Sequence, residues 1–159
     1  MTDFGRLISA LVDAQVEFVI IGGLAVVAHG HTRATVDLDV CYARSPENHR
    51  RLITALAAHR PRLRGAPEGL PFFWDERTLK NGLNFTLITD LGELDLLGEV
   101  TGVGGYGNLA VTADNVQLYD RTVKVVDLVT LIASKAAAGR PKDLLDLEAL
   151  RAIQRRLKK

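Results

Sequence analysis

The sequence predicts an α/β (α+β) fold in which helices flank a mixed, mainly antiparallel sheet. Three observations carry this reading. Apolar residues at helical spacing open and close the chain, Val36–Tyr42 alternates strictly, and two pairs of strand-like segments joined by turn residues occupy the second half.

Phe4, Leu7, Ile8, Leu11 and Val12 recur at helical spacing behind a capping Asp3, which predicts a helix over roughly residues 4–14. Glu17–Ile21 is a short buried strand, rich in β-branched and aromatic residues, that stops at Gly22-Gly23. Leu24–His29 suits a short apolar helix ended by Gly30. In the strand Val36–Tyr42, Val36, Leu38 and Val40 point to the core, while Asp37, Asp39 and Cys41 share the other face. Ser45-Pro46-Glu47 is a helix start, with Leu52, Ile53, Leu56 and Ala57 as its buried stripe. Pro61, Pro67 and Pro71 predict a loop that runs up to Phe72-Phe73-Trp74. Asn84–Thr89 and Glu93–Leu97 form a hairpin across Asp90-Leu91-Gly92, and Gly102–Gly107 reads as a loop. Val116–Tyr119 and Thr122–Val126 make a second strand pair, followed by helices over Leu128–Ala138, stopped by Gly139, and over Lys142–Leu157, opened by Pro141.

Composition narrows the functional classes. The 159 residues carry 20 Lys+Arg against 19 Asp+Glu, a net charge of +1, with 47% hydrophobic residues, which excludes a polybasic arm, an acidic tail and a disordered chain. A single domain spanning residues 1–159 is expected, with the C-terminal helices from about 128. Cys41 is the only cysteine, so neither an internal disulfide nor a cysteine-built zinc site forms, and a cytoplasmic location is expected. The longest apolar stretch, Phe18–Ala28, has 11 residues against the roughly 20 of a spanning helix, and no membrane partner is expected. His29 and His31 straddle a helix end and do not suit a metal clip; Arg155, Arg156, Lys158 and Lys159 read as a solvated terminus.

The chemistry concentrates between Gly22 and Asp39. Two carboxylates two residues apart on a strand project from one face about 6–7 Å apart, and such like charges raise each other's pKa unless a cation compensates. Divalent cations such as Mg²⁺, or Mn²⁺ in its place, take oxygen ligands of this kind together with substrate phosphates. Gly22-Gly23 opens a helix just before this strand, and exposed N–H groups at a helix start receive phosphate; the pair also fits a plain tight turn. Asp95 is a third acid, polar within the apolar run Leu94–Leu97 of the hairpin. Arg33 is suited to nucleotide contact or to orienting Asp37 and Asp39, and Thr35 shares the carboxylate face.

Taken together, Gly22-Gly23, Arg33, Asp37-x-Asp39 and Asp95 resemble the DNA polymerase β-like nucleotidyltransferase superfamily. Lys135 followed by Ala138-Gly139-Arg140-Pro141-Lys142-Asp143 and Asp146-Leu147 resembles the C-terminal signature of its minimal bacterial members, the nucleotidyltransferase toxins of abortive-infection toxin–antitoxin pairs. The resemblance implies a polymerase β-like nucleotidyltransferase fold and transfer of an NMP group from an NTP, ATP among them, to a hydroxyl of tRNA, protein or a small molecule. It further implies Mg²⁺ (or Mn²⁺) at Asp37 and Asp39, with Asp95 as a further metal ligand or general base. Gly22 and Gly23 would hold the triphosphate, Lys135 would neutralise phosphate charge with Arg140 and Lys142 beside it, and a cognate antitoxin would be a partner. Gly23 stands where many members have a serine, so a phosphate-binding hydroxyl is missing there. The alternative is a catalytically degenerate, partner-binding or regulatory protein of the same fold.

Overall fold

The computed structural model describes residues 1–158. Helix α1 (Phe4–Asp13) is capped by Asp3, whose carboxylate accepts from the Arg6 N–H at 3.0 Å, and it buries Leu7, Ile8 and Leu11. Strand β1 (Phe18–Ile21) runs into α2 (Gly22–Ala28), and β2 (Asp37–Tyr42) follows. Helix α3 (Pro46–Leu56) starts behind Ser45, whose hydroxyl accepts from the Asn48 N–H at 3.1 Å. A single 3₁₀ turn at Ala57–His59 leads to β3 (Arg62–Leu63), then α4 (Glu76–Asn81) and the hairpin of β4 (Asn84–Thr89) and β5 (Gly92–Leu97). A two-stranded ribbon of β6 (Glu99–Val100) and β7 (Gly104–Gly105) precedes α5 (Tyr106–Thr112), the hairpin β8 (Asp114–Leu118) and β9 (Arg121–Val125), and helices α6 (Leu128–Ala138) and α7 (Pro141–Leu157).

Seven strands form one sheet in the order β3-β4-β5-β2-β1-β9-β8. The seams β3–β4, β4–β5, β1–β2 and β8–β9 are antiparallel, and only β2–β5 and β1–β9 are parallel, so the sheet is mixed and mainly antiparallel. The central strands are the most apolar: Val19, Ile20, Leu38, Val40, Leu94 and Leu96 are completely buried. Strands enclosed on both sides have no wet face to favour alternation, which is why β1 reads as an unbroken apolar run. Among the described residues, no helix is long and apolar enough to cross a membrane.

The structure departs from expectation where the local signal is thin. Val36 is 61% exposed and precedes β2, because the ladder with β5 begins at Asp37–Glu93 and nothing covers the residue before it. Helix α2 starts at Gly22 rather than Leu24, so the two glycines form its first turn. Strand β3 falls in the stretch expected to be a loop before Phe72, β7 and the start of α5 in the loop expected over Gly102–Gly107, and α4 and β6 where no element was expected. Arg155, Arg156 and Lys158 are exposed at the end of α7, and Lys159 lies outside the described residues.

Candidate active site

Strand register assembles the acidic cluster. In the parallel ladder between β2 and β5, Asp39 lies opposite Asp95 and Asp37 opposite Glu93, so all four carboxylates project from one face of the sheet. Asp37, Asp39 and Asp95 each bring an oxygen within 4.8 Å of the others. Burial pushes the Asp39 carboxyl up to about 8, and the neighbouring Asp37 and Asp95 add to the shift. Burial also raises Asp95, against the opposing pull of a hydrogen bond from Asp39 and the charge of Arg64. Oxygen-only and half-buried, the three aspartates fit a hard divalent cation.

The glycines are required by closeness to this cluster. The antiparallel ladder sets Ile21 opposite Asp39, which brings the next residue, Gly22, against the carboxylate. Gly22 has φ +67°, and a Cβ there would collide with Asp39 Oδ2. At Gly23, an added Cβ would lie 2.5 Å from both Arg33 Nη1 and Thr35 Oγ1. The space a serine side chain would take at position 23 is therefore filled by a guanidinium and a hydroxyl from the loop leading to β2.

The opposite wall comes from the junction of α6 and α7. Lys135 Nζ lies 3.2 Å from Asp143 Oδ1 and 3.0 Å from Asp146 Oδ2, with all three side chains more than nine-tenths buried. Arg33 Nε pairs with Asp146 Oδ1 at 3.3 Å, tying the loop before β2 to α7. Gly139, left-handed at φ +64°, ends α6, and Pro141 starts α7 two residues later. This sharp corner places Asp143 to accept from Arg140 Nε at 2.6 Å and from the Arg140 backbone N–H at 3.2 Å. Burial would raise the Asp143 carboxyl, but hydrogen bonds from Arg140 and Lys135 outweigh it and hold the group low. Acidic floor and basic wall enclose a cleft of about 630 Å³, lined by Gly22, Gly23, Arg33, Thr35, Asp37, Asp39, Asp95, Lys135, Arg140 and Lys142 among others. Every site residue singled out in the sequence thus lines one cleft.

No protein-family profile and no curated protein sequence matches the chain. Solved structures do. The lincosamide antibiotic adenylyltransferase LnuA, crystallised with lincomycin, superposes with a TM-score of 0.61 at 15% identity, over 96% of this chain and 98% of that one. An antigenic nucleotidyltransferase-like protein from Paracoccidioides brasiliensis gives a TM-score of 0.52 at 14% identity, over 94% of this chain and 77% of the other. The chain has a nucleotidyltransferase fold. This agrees with the resemblance read from Gly22-Gly23, Asp37-x-Asp39 and Asp95.

Within the nucleotidyltransferase fold, two residues at the acidic cluster escaped the sequence reading. Glu93 is the fourth carboxylate of the face, and its signal was its place two residues before Asp95 on one strand. Arg64 directly follows β3 and ion-pairs with Asp95, with Glu93 at 3.5 Å and with Asp37 at 3.9 Å. Its signal was the alternation Arg62-Leu63-Arg64 inside a stretch that its prolines mark as loop. His29 Nε2 donates to the Val126 carbonyl oxygen at 2.7 Å, away from the cluster. Cys41 is fully buried, and burial raises its thiol to about 11, which makes it a space-filling residue.

Proposed function

We propose that the protein transfers a nucleoside monophosphate from an NTP to a hydroxyl acceptor, with Mg²⁺, or Mn²⁺ in its place, held by Asp37, Asp39 and Asp95. The observation that carries this reading is the convergence of three carboxylate oxygens within 4.8 Å on the floor of a cleft walled by Arg33, Lys135, Arg140 and Lys142. Held there, a divalent cation would supply positive charge for the phosphate oxygens and a template for the attacking and leaving oxygens.

The remaining work falls to the chain itself. Arg140 and Lys142, at the mouth of the cleft, bind the triphosphate, while the buried Lys135 fixes the wall and lends positive potential toward Asp39. Gly22 and Gly23 let the first turn of α2 approach the phosphates, and the Thr35 hydroxyl, beside Gly23, supplies the donor that a serine at position 23 would have given. Asp95, with its carboxyl raised by burial, accepts the acceptor's proton. ATP is the first nucleotide to try, because the LnuA neighbour is an adenylyltransferase.

The test is incubation with each α-labelled NTP and Mg²⁺ alongside total RNA, total protein or small hydroxyl compounds, lincosamides included. Label on tRNA or protein fits a toxin with a cognate antitoxin as partner; label on a small compound fits an antibiotic-modifying enzyme. Absence of label from every acceptor, with no pyrophosphate released, returns the protein to the degenerate, partner-binding alternative. Asp37→Asn should abolish both labelling and Mn²⁺ binding with the fold retained.

A further inference from the structure

The acidic face carries a cation of its own. The Arg64 backbone N–H donates to the Thr86 carbonyl oxygen at 2.9 Å, so the main chain is fixed beside β4. From there its side chain crosses β4 to reach Asp95 and Glu93 on β5 and Asp37 on β2. It is the one arginine among the described residues that ion-pairs with this face. Arginines frequently form a parallel, two-bond fork with a carboxylate. Arg64 does not: Nη2 goes to Asp95, while Nη1 is buried without a hydrogen-bond partner and lies 3.5 Å from Glu93 and 3.9 Å from Asp37. Attraction to several carboxylates at once, rather than one fitted bond, holds it.

We propose that Arg64 is the gatekeeper of the cation site, a positioning residue whose guanidinium gathers Asp37, Glu93 and Asp95 and must release their oxygens before a divalent ion is bound. Resting on the nucleotidyl-transfer reading, this assigns Arg64 control of how much free cation the protein requires. The same oxygens cannot serve both positive groups at full strength, because a guanidinium and a divalent ion a few ångströms apart repel. Displacement needs only side-chain rotation, and the Arg64 side chain is 22% exposed toward solvent.

Two measurements on the full chain test it. In the first, Mn²⁺ is titrated without nucleotide and the free ion is read by electron paramagnetic resonance. Arg64→Gln should bind about tenfold tighter than wild type, and Arg64→Lys, which keeps the charge, within about twofold of it. Unchanged or weaker binding by Arg64→Gln overturns the proposal and leaves Arg64 a structural tie. In the second, which needs no variant to fold, the Arg64 Nε–H signal is followed by NMR during Mg²⁺ titration of the wild type. A saturable shift supports release, and an unmoved signal overturns it. Asp37→Asn separates the two readings. If it binds Mn²⁺ as well as wild type, the nucleotidyl-transfer site and the Arg64 role both fall; if it loses the ion while Arg64→Gln gains nothing, only the Arg64 role falls.

Discussion

Replacing Asp39 by asparagine should stabilise the protein in chelator and make it insensitive to added cation. In the folded state the Asp39 carboxyl lies at about 8, against 3.8 when unperturbed. Between those values the folded state keeps a proton that the unfolded chain has released, so stability falls as pH rises through the window. The loss is complete near pH 8. Its size follows from the geometry. One like charge at 4.8 Å costs about 3 kcal/mol at an effective dielectric of about 20. Lys135 offsets part of that, so the like-charge part alone leaves about 2 kcal/mol, or about 4–8 °C in Tm for a chain of this size, and desolvation on burial, the larger cause of the shift, adds to it. Thermal melts in EDTA from about pH 5 to about pH 8 should show wild type falling and Asp39→Asn nearly flat, with the variant the more stable at the upper end. Saturating Mn²⁺ should then reverse the order by stabilising wild type alone. Parallel pH profiles for the two proteins, or a variant less stable than wild type near pH 8, would refute this electrostatic account.

Gly22→Ala should lose about 1–2 kcal/mol from its left-handed backbone alone. It should also lose Mn²⁺ binding, because the new Cβ displaces Asp39; denaturant unfolding and an ion titration check the two effects separately. Lys135→Met leaves Asp143 and Asp146 buried without their shared cation, and about 3–5 kcal/mol of stability should disappear. The double variant Lys135→Met, Asp143→Asn should be less destabilised than the sum of the single changes, which a double-mutant cycle measures. Thr35→Val keeps the branched shape and removes the hydroxyl; NTP affinity should weaken about tenfold with Tm unchanged, measured by nucleotide titration.

Much of this architecture is written in local pattern. The end of α6 at Ala138, the Asn84–Thr89 strand and the capped start of α3 all rest on signals a few residues wide: Gly139, Asp90-Leu91-Gly92 and Ser45-Pro46. The elements that escaped lack such signals. Helix α4 buries only Leu79, so it has no apolar stripe, and its cap is the solitary Asp75. Helix α5 emerges from a glycine-rich stretch and buries only Leu109. Strand β3 has two residues and exists through pairing with Leu87 and Ile88, more than twenty positions away. The site divides in the same way. Asp37 and Asp39 announce themselves by alternation on one strand. Arg64 owes its place to a chain of neighbours, β3 on β4 and β4 on β5, that no local spacing encodes. Lys135 was expected as a phosphate contact, whereas its immediate partners are Asp143 and Asp146, whose role as its buried counter-ions depends on the turn at Gly139.

The parallel seam between β2 and β5 also has a consequence for assembly. The β4–β5 hairpin closes over a tight turn and the β1–β2 pair over α2 and the loop after it, whereas Asp39 meets Asp95 only after a longer stretch of chain has been brought together. An ion gripping both residues would act as a rivet across a long-range joint in the sheet. Its binding would slow amide exchange along that joint first, making competence for the ligand a readout of a finished fold.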